Sequence, residues 1–317
     1  MTAYNDRDLR YAAEAGIRAP SLHNSQPWSF RLRDGGIEVL ADTSRQLPVA
    51  DSGGWAVRIA CGAAVFNARL ALAVSGVPAQ VMLRPPGADP VIARLTPGPQ
   101  RLPTYLETDL FAAIPRRHSN RQPFWPNPVP SEVRVRLIEA ARTEGCWLDL
   151  LVGMTALSGF AEIARSADRV LRRDFRYQAE FAGWTHADRS PDGVPVAAGG
   201  PLGEPQDLLP QRAFGDHHRA LGRDFEPEPL VAVLGTTADR PIDQILAGQA
   251  LQRTLLTATD AGLACSMMSE PIEVPSARDQ LRRSLSRSGP PQIALRIGYG
   301  VAGRPTPRRA LDEVLSD

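Results

Sequence analysis

Short polar side chains stand between two prolines in residues 19–28, directly after a predicted helix. Pro20 and Pro27 restrict the backbone at both ends, because a proline ring holds φ near about −65° and removes an N–H donor. Between them, Ser21, Asn24 and Gln26 carry hydroxyl and amide groups that can bind the polar edge of a flat heterocycle. The same composition also fits an ordinary helix-to-strand connection whose polar groups bond to their own backbone.

A second segment that could do chemistry is the basic stretch 116–121, with Arg117, Ser119 and Arg121 at alternate positions. Arginine forks and a hydroxyl with this spacing can converge on phosphate oxygens through charge-assisted hydrogen bonds. A basic loop is also a common solvated surface. On the residues alone, both interpretations stay open.

The first segment, Pro20-Ser21-x-x-Asn24-Ser25-Gln26-Pro27-Trp28, resembles the P-S-x-x-N-x-Q-P-W loop of the flavin-dependent nitroreductase superfamily. The arrangement of the chain resembles the Acg-type branch, in which two nitroreductase-like halves are fused. In that superfamily this loop comes from one subunit and contacts the FMN that the other subunit holds. The basic stretch is similar to the superfamily's R-x-S-x-R element, which holds the FMN phosphate. The resemblance therefore implies an α+β, nitroreductase-like fold whose two halves mimic a homodimer.

The resemblance also implies which residues bind FMN. The resemblance implies that an arginine of the C-terminal segment contacts the phosphate. Arg309 matches that arginine best, and Arg308 is next. From the segment before Pro271 the resemblance implies a turn whose backbone approaches the flavin N5, here at Met268 and Ser269, although the superfamily's commoner acidic-glycine pair is absent. The complete implied set is Pro20, Ser21, Leu22, Asn24, Gln26, Arg117, His118, Ser119, Arg121, Met268, Ser269, Arg308 and Arg309.

Each specific motif occurs once, which predicts one composite FMN site per chain instead of the two sites of a symmetric dimer. We expect a first half over residues 1–103, with the flavin-contacting loop, and a second half over 104–317, with the phosphate site. Residues 172–223 are long and poor in regular signals, which is typical of a lid or a mobile loop. Since superfamily members place the roof of the flavin pocket here, we expect a lid.

Hydrophobic periodicity predicts the elements that position these segments. It predicts helices over 6–18, 55–74, 106–113 and 242–261, and strands over 28–33, 37–41, 79–83, 91–95, 230–236, 263–267 and 292–298. The second half repeats the first weakly, since Gly248 and Gly262 are spaced like Gly62 and Gly76 around the two long helices. This repeat agrees with two fused halves.

The composition excludes several functions. All 36 basic residues are arginine, so a Schiff-base or P-loop lysine is ruled out. With 35 acidic residues the net charge is +1, and neither nucleic acid nor membrane is an expected partner. Cys61, Cys146 and Cys265 are far apart and flanked by apolar residues, which predicts buried reduced thiols. We expect no metal site, since Asp216-His217-His218 suits a surface helix better, and the absence of a signal-like N-terminus or a membrane-length apolar run favours a cytoplasmic location.

The function that the resemblance implies is an FMN-dependent NAD(P)H oxidoreductase that reduces a small aromatic acceptor, such as a nitroarene or a quinone, by two electrons. The flavin carries this chemistry, so no catalytic side chain is expected. The alternative is a flavin-binding or flavin-sequestering protein with a lidded site and little or no reductase activity. Either protein could be a pseudo-dimeric monomer or a homodimer.

Overall fold

The structure, a computed structural model, describes residues 4–84, 90–186, 190–204, 207–215 and 228–316 and combines helices with mainly antiparallel sheets. The helices are α1 Asp6–Gly16, α2 Trp55–Val74, α3 Tyr105–Ala113, α4 Ser131–Thr143, α5 Met154–Arg173, α6 Phe175–Gly183, α7 Pro241–Asp260, α8 Glu270–Glu273 and α9 Pro275–Ser284. The strands are β1 Trp28–Arg33, β2 Gly36–Ala41, β3 Ala79–Leu83, β4 Val91–Pro97, β5 Trp147–Leu151, β6 Thr185–His186, β7 Val194–Pro195, β8 Leu230–Gly235, β9 Ala264–Met268, β10 Pro291–Gly298 and β11 Leu315–Ser316.

Two principal sheets confirm the α+β class. The first has the strand order β11-β1-β2-β4-β3 and the second β5-β8-β10-β9, while β6 and β7 form a small separate pair. The hairpin β1–β2 is in register from Trp28 opposite Ala41 to Arg33 opposite Gly36. Its turn residues Asp34 and Gly35 both have positive φ, of 50° and 69°, which matches the right-handed twist of a two-residue hairpin.

The two long helices α2 and α7 pack against each other at the centre of the molecule, with α2 also on the first sheet and α7 also on the second. At their crossing each helix has a glycine. A Cβ added to Gly62 would lie 2.2 Å from the Ile245 carbonyl oxygen, and one added to Gly248 would lie 2.1 Å from that of Ile59. The backbones therefore approach as closely as they do only because both positions lack a side chain.

Polar side chains beside this crossing hold the two helices in one alignment. The Gln252 amide of α7 donates to the Asn67 Oδ1 of α2 at 2.7 Å, and the Asn67 amide donates to the Ala15 carbonyl at 2.9 Å. At the helix ends, Glu144 accepts from Arg69 of α2 and from Arg253 of α7. Because these groups are buried and hydrogen-bonded to one another, a shift of one helix along the other would leave them unpaired.

The other two glycines of the predicted repeat also have matching places. Gly76 and Gly262 follow the ends of α2 and α7 with φ of +91° and +74°, a conformation that glycine adopts without a Cβ penalty. Each is followed by a strand, β3 and β9 respectively. The repeat predicted from these four glycines is therefore confirmed at the level of structure.

Several elements differ from the predicted ones. Helices α4 and α5 and strand β5 were not predicted, although the buried positions of α5 recur at helical spacing. The segment 172–223 begins inside α5 and contains α6, so its first part is regular. The end of this segment, including His217 and His218, lies outside the described residues.

Helix α2 is long and apolar enough to cross a membrane by length and composition, which corrects the expectation that no run approaches that length. In the structure 83% of the most apolar part of this helix is buried inside the protein, as in the core helix of a globular fold. All three cysteines are free and buried, as predicted. Within the described part of the chain no cluster of histidine, cysteine and carboxylate side chains could hold a metal ion.

The C-terminal strand β11 lies in the first sheet, although it belongs to the second half in sequence. It pairs in parallel with β1, with Phe30 opposite Leu315. The backbone N–H of Phe30 also donates to the carbonyl of Val314 at 2.7 Å. The C-terminal segment therefore joins the two halves.

Because α2 and α7 are in backbone contact at their crossing, we expect that adding a single methyl group there strongly destabilises the protein. Gly62→Ala should lower the free energy of unfolding by at least about 1–3 kcal/mol, because the added Cβ meets backbone that cannot move without separating the helices. The matched control is Gly159→Ala in α5, where a Cβ meets nothing within 4 Å; it should stabilise by up to about 1 kcal/mol through helix propensity. Urea unfolding of both variants checks this, and equal effects would contradict it.

Candidate cofactor site

The loop between α1 and β1 has an unusual backbone. His23, Asn24 and Gln26 all have positive φ, of 51°, 56° and 51°, which is uncommon for residues with side chains. The Ser21 hydroxyl accepts a hydrogen bond from the Gln26 N–H at 2.9 Å and closes the loop on itself. Backbone in this conformation persists where surrounding structure fixes it, and it is concentrated at ligand sites.

The amides of Asn24 and Gln26 fix this loop to two distant segments. Asn24 donates to the carbonyls of Gly193 and Pro307 at 2.9 and 3.1 Å, and its Oδ1 accepts from Arg308 at 2.9 Å. The Gln26 amide donates to the Pro191 carbonyl at 2.8 Å, and its Oε1 accepts from the Arg309 N–H at 2.9 Å. These two side chains are therefore occupied within the protein, and they hold the loop in place.

The basic stretch 117–121 runs beside the end of strand β9. The Asn120 N–H donates to the Cys265 carbonyl at 2.8 Å, and Ser119 forms a parallel bridge with Cys265. The Asn120 amide donates to the Val301 carbonyl at 2.6 Å, which fixes the segment to the chain that follows β10. The Arg117 side chain is buried and that of Ser119 is half-buried, so this stretch is not the solvated surface that a basic loop often forms.

A cluster of basic side chains, which we call the cation cluster, consists of the arginines Arg18, Arg117 and Arg308 together with His118. Burial lowers the pKa of Arg117 to about 10, and burial together with the charges of Arg117 and Arg18 lowers that of Arg308 to about 9. The pKa of His118 is also lowered, first by burial and then by Arg117, Arg308 and Arg18. Among the described residues none of the four forms an ion pair, and the buried Nε atoms of Arg117 and Arg308 have no hydrogen-bond partner.

Arg309 lies apart from the cation cluster. Its guanidinium is 3.6 Å from Asp42 Oδ2 and 4.0 Å from Glu313 Oε2, so carboxylates already balance its charge. Arg308, by contrast, donates to the Ala19 carbonyl at 3.1 Å and shares the cluster with Arg117. The resemblance favours Arg309 over Arg308 as the phosphate arginine, but the adjacent side chains have different surroundings, and Arg308 is the one in the cation cluster.

A cavity lies next to the cation cluster, and both loops reach it. Its lining comes from the loop 20–23, the start of α2, Ser119 and Arg121, strands β9 and β10, and the segment 209–214. Of the sequence-predicted residues, seven line the cavity, namely Pro20, Ser21, Leu22, Ser119, Arg121, Met268 and Ser269. Arg117, His118 and Arg308 belong to the cation cluster, while Asn24, Gln26 and Arg309 are bonded elsewhere in the protein.

Residues 209–214, which we call the roof, cover one side of the cavity. Arg212 of the roof lies 2.9 Å from Glu273 Oε1 and 3.3 Å from Glu270 Oε1, both on α8. Phe214 packs at 5.0 Å, between ring centroids, from Phe181 of α6. The roof is thus attached to α8 by charge and to α6 by aromatic contact.

Arg121 and His23 face the cavity as two polar groups of different charge. The Arg121 guanidinium lies 4.5 Å from the centroid of the Phe214 ring, and burial lowers its pKa to about 10. The pKa of His23 falls well below its usual value through burial and then through the charges of Arg212 and Arg121. At neutral pH the arginine is therefore charged and the imidazole is neutral.

Sequence reasoning missed four residues of this site, Arg18, His23, Arg212 and Glu270. His23 lies inside the recognised loop, so only its orientation was unknown. Arg18 directly precedes Ala19, and the structure places it beside Arg117, whose guanidinium donates to the Arg18 carbonyl at 3.4 Å. For Arg212 and Glu270 the sequence carries no local signal, because their pairing joins residues 58 positions apart in the chain.

An unpaired cation cluster should bind a small anion before any larger ligand is present. In ligand-free protein, inorganic phosphate at a hundred times its Kd should stabilise the fold by about 2.7 kcal/mol, which thermal unfolding reports as a higher Tm. Arg308→Ala and Arg117→Gln should each lose most of this increment, whereas Arg304→Ala, at an exposed position of the same C-terminal segment, should keep it. An equal increment in all three variants would show that phosphate acts elsewhere.

Comparison with known proteins identifies the family. No family model matches the chain. A protein of Mycobacterium tuberculosis named "Putative NAD(P)H nitroreductase Rv3131" is 31% identical over 316 residues, which cover 97% of this chain and 90% of that protein. "Putative NAD(P)H nitroreductase acg" of the same organism is 29% identical over 321 residues, covering 96% and 94%. Among solved structures, the FMN and NADPH-dependent nitroreductase NfnB of a Sphingopyxis strain is 16% identical with a TM-score of 0.42, covering 65% of this chain and 96% of that one. The chain belongs to the nitroreductase superfamily, in its Acg-type branch.

Proposed function

We propose that this protein binds one FMN between its two halves and uses it to reduce a small aromatic acceptor at the expense of NAD(P)H. The single observation that carries the proposal is the cation cluster, whose buried guanidinium groups have unpartnered Nε atoms beside a cavity. Relatives named NAD(P)H nitroreductase support the same function.

The residues present fit FMN in both charge and shape. Residues 18–22 and 117–121 both extend from the cation cluster to the cavity, so a ligand that follows them has an anionic group at one end and a ring at the other. Burying an arginine without a counterion is costly, and a phosphate would supply that counterion. The cavity lining combines apolar side chains with a few polar ones, as is usual for cofactor sites.

In this proposal each polar group has a distinct role. Arg117, Arg308 and His118 hold the phosphate, with the Ser119 hydroxyl as a further donor. Arg121 lies at the cavity instead and would favour negative charge on a bound ring. Asn24 and Gln26 position the loop through their bonds to the roof-bearing segment and to the C-terminal segment.

FMN, when bound, supplies the hydride and electron chemistry, taking two electrons from NAD(P)H and passing them to an acceptor such as a nitroarene or a quinone. The protein contributes position, charge and exclusion of water. Proximity alone can lower a barrier substantially when the reacting groups are held in the right geometry.

The second candidate function is flavin sequestration, and the attachment of the roof favours it. Arg212 makes ion pairs with Glu270 and Glu273 and lies over the rings of Tyr177 and Phe181 at 5.9 and 5.7 Å. A roof held this firmly would exclude both nicotinamide and acceptor unless it opens, and such opening limits the rate of many enzymes. The two functions differ in whether the roof opens during turnover.

The proposed function is tested on purified protein titrated with FMN. Arg308→Ala should weaken FMN binding about tenfold to a hundredfold, since a hydrogen bond to a charged group contributes about 1.5–3 kcal/mol. Arg309→Ala, which removes the neighbouring guanidinium, should weaken binding much less.

NADH or NADPH should then bleach the bound flavin, and a quinone should restore its colour. Absence of flavin bands after FMN addition would refute the proposal, and bleaching by dithionite alone would favour sequestration.

The roof generates a separate prediction. Arg212→Met keeps the apolar stem of the side chain but removes both ion pairs, so FMN release and NAD(P)H-dependent bleaching should both become faster. Arg176→Met on exposed α6 surface is the matched control and should change neither rate. Stopped-flow absorbance measures both processes. Unchanged rates in a folded Arg212→Met protein would mean that the roof does not limit access.

A further inference from the structure

Two carboxylates share one buried arginine at the edge of the cavity. Arg212 donates to Glu273 Oε1 at 2.9 Å, its Nε lies 3.3 Å from Glu270 Oε1, and the Ser269 hydroxyl is 3.4 Å from its Nη1. The side chains are 15% exposed for Arg212, 9% for Glu270 and 1% for Glu273. We call Arg212, Glu270 and Glu273 the carboxylate pair site.

One positive charge cannot balance two negative charges in this setting. Burying a net charge is so unfavourable that a titratable group usually changes its protonation state instead. The other groups that face Glu270 add to this imbalance: Asp168 of α5 repels its negative charge, and Tyr177 of α6 provides no positive charge. The charge count therefore favours an extra proton on the carboxylate pair site.

The proton belongs on Glu270 for two geometric reasons. Glu273 has the shorter contact with Arg212, which donates a hydrogen bond to its Oε1, so it is the better-paired carboxylate at that oxygen, while its buried Oε2 has no hydrogen-bond partner. Glu270 lines the cavity, whereas Glu273 does not, so only Glu270 can exchange its proton with the cavity contents. Burial raises the pKa of Glu270 despite the opposing effect of Arg212, which agrees with this assignment.

The remaining titratable groups of the cavity cannot donate a proton. His23 is neutral, and loss of its remaining N–H proton would require a far stronger base than an acceptor provides. Arg121 and Arg212 are guanidinium groups that stay charged at neutral pH. Among the described residues that line the cavity, Glu270 is thus the one carboxyl group.

We propose that Glu270 is the acid that protonates the acceptor, with Arg212 and Glu273 as positioning residues. This inference rests on the proposed function. Two-electron reduction of a quinone requires a hydride equivalent, which NAD(P)H supplies through the cofactor, and one proton for the developing oxyanion. The carboxyl O–H bond of Glu270 breaks as the acceptor O–H bond forms. The carboxylate left behind pairs with Arg212 and regains a proton from water.

The pH dependence of acceptor reduction follows from this role. The protonated form of Glu270 is the active one, so the rate is constant at low pH and falls as the pH rises through the Glu270 pKa. General acid catalysis contributes typically about 10²–10⁴-fold to a rate. Removing the acid should therefore slow acceptor reduction about a hundredfold or more without slowing reduction by NAD(P)H.

The test combines infrared spectroscopy of ligand-free protein with stopped-flow kinetics of the FMN-loaded protein. At neutral pH the wild type should have a carbonyl band of a protonated carboxyl group that Glu270→Gln lacks. After anaerobic reduction by NAD(P)H, reoxidation by a quinone should lose its pH dependence in Glu270→Gln. Glu273→Gln leaves one carboxylate per arginine, so it should abolish the band and move the fall in rate to lower pH.

Glu139→Gln changes an exposed carboxyl group on α4 and is the control for both measurements; it should leave the band and the profile unchanged. A wild-type rate and pH profile in Glu270→Gln would overturn the acid role alone, and water would then supply the proton. Absence of the band from wild type would overturn it as well, because Glu270 would be ionised. If NAD(P)H fails to bleach the wild-type flavin, the proposed function fails together with this role, whatever the infrared result.

Discussion

The contact on which the rest of the structure depends is the crossing of α2 and α7 at Gly62 and Gly248. Ile59, whose carbonyl lies against Gly248, also lines the cavity, and so does Leu251 one turn along α7. The distance between the two helices therefore sets the floor of the site. The buried bond from Gln252 to Asn67 fixes their relative position along the axis. A large side chain at the crossing would separate the two halves beside the cavity that both of them line.

Above this floor, the site is assembled from segments that are distant in sequence. The loop at 20–26, the stretch at 117–121 and the residues around 308 contribute to one region, and hydrogen bonds between them fix their positions. These segments bring basic side chains together, and few carboxylates of the protein pair with them. Holding like charges together destabilises the ligand-free fold, which is typical of a site that is completed by a ligand.

Much of the framework could be predicted from the sequence, because helical and strand periodicities are local properties. The long helices α2 and α7, the β1–β2 hairpin and the paired glycines all followed from spacing alone. The site could be predicted only to the level of segments. Arg308 and Arg309 are adjacent, yet one joins the cation cluster and the other pairs with Asp42, and no local pattern distinguishes them. Similarly, Asn24 and Gln26 resemble ligand-binding amides, but their NH₂ groups donate to carbonyl groups of residues 191, 193 and 307, and their oxygens accept from residues 308 and 309.

The position of β11 also has a consequence for how the protein is made. The first sheet gains its edge strand, and the 20–26 loop its bonds to Pro307 and Arg309, from residues near the end of the second half. Such long-range contacts form late and slow the folding of a chain. Until residues 307–316 have been made, the first half lacks this strand and these bonds, and the edge of β1 is open to pairing with another nascent chain. A fragment that lacks residues 307–316 would lack both this edge strand and the bonds that fix the 20–26 loop.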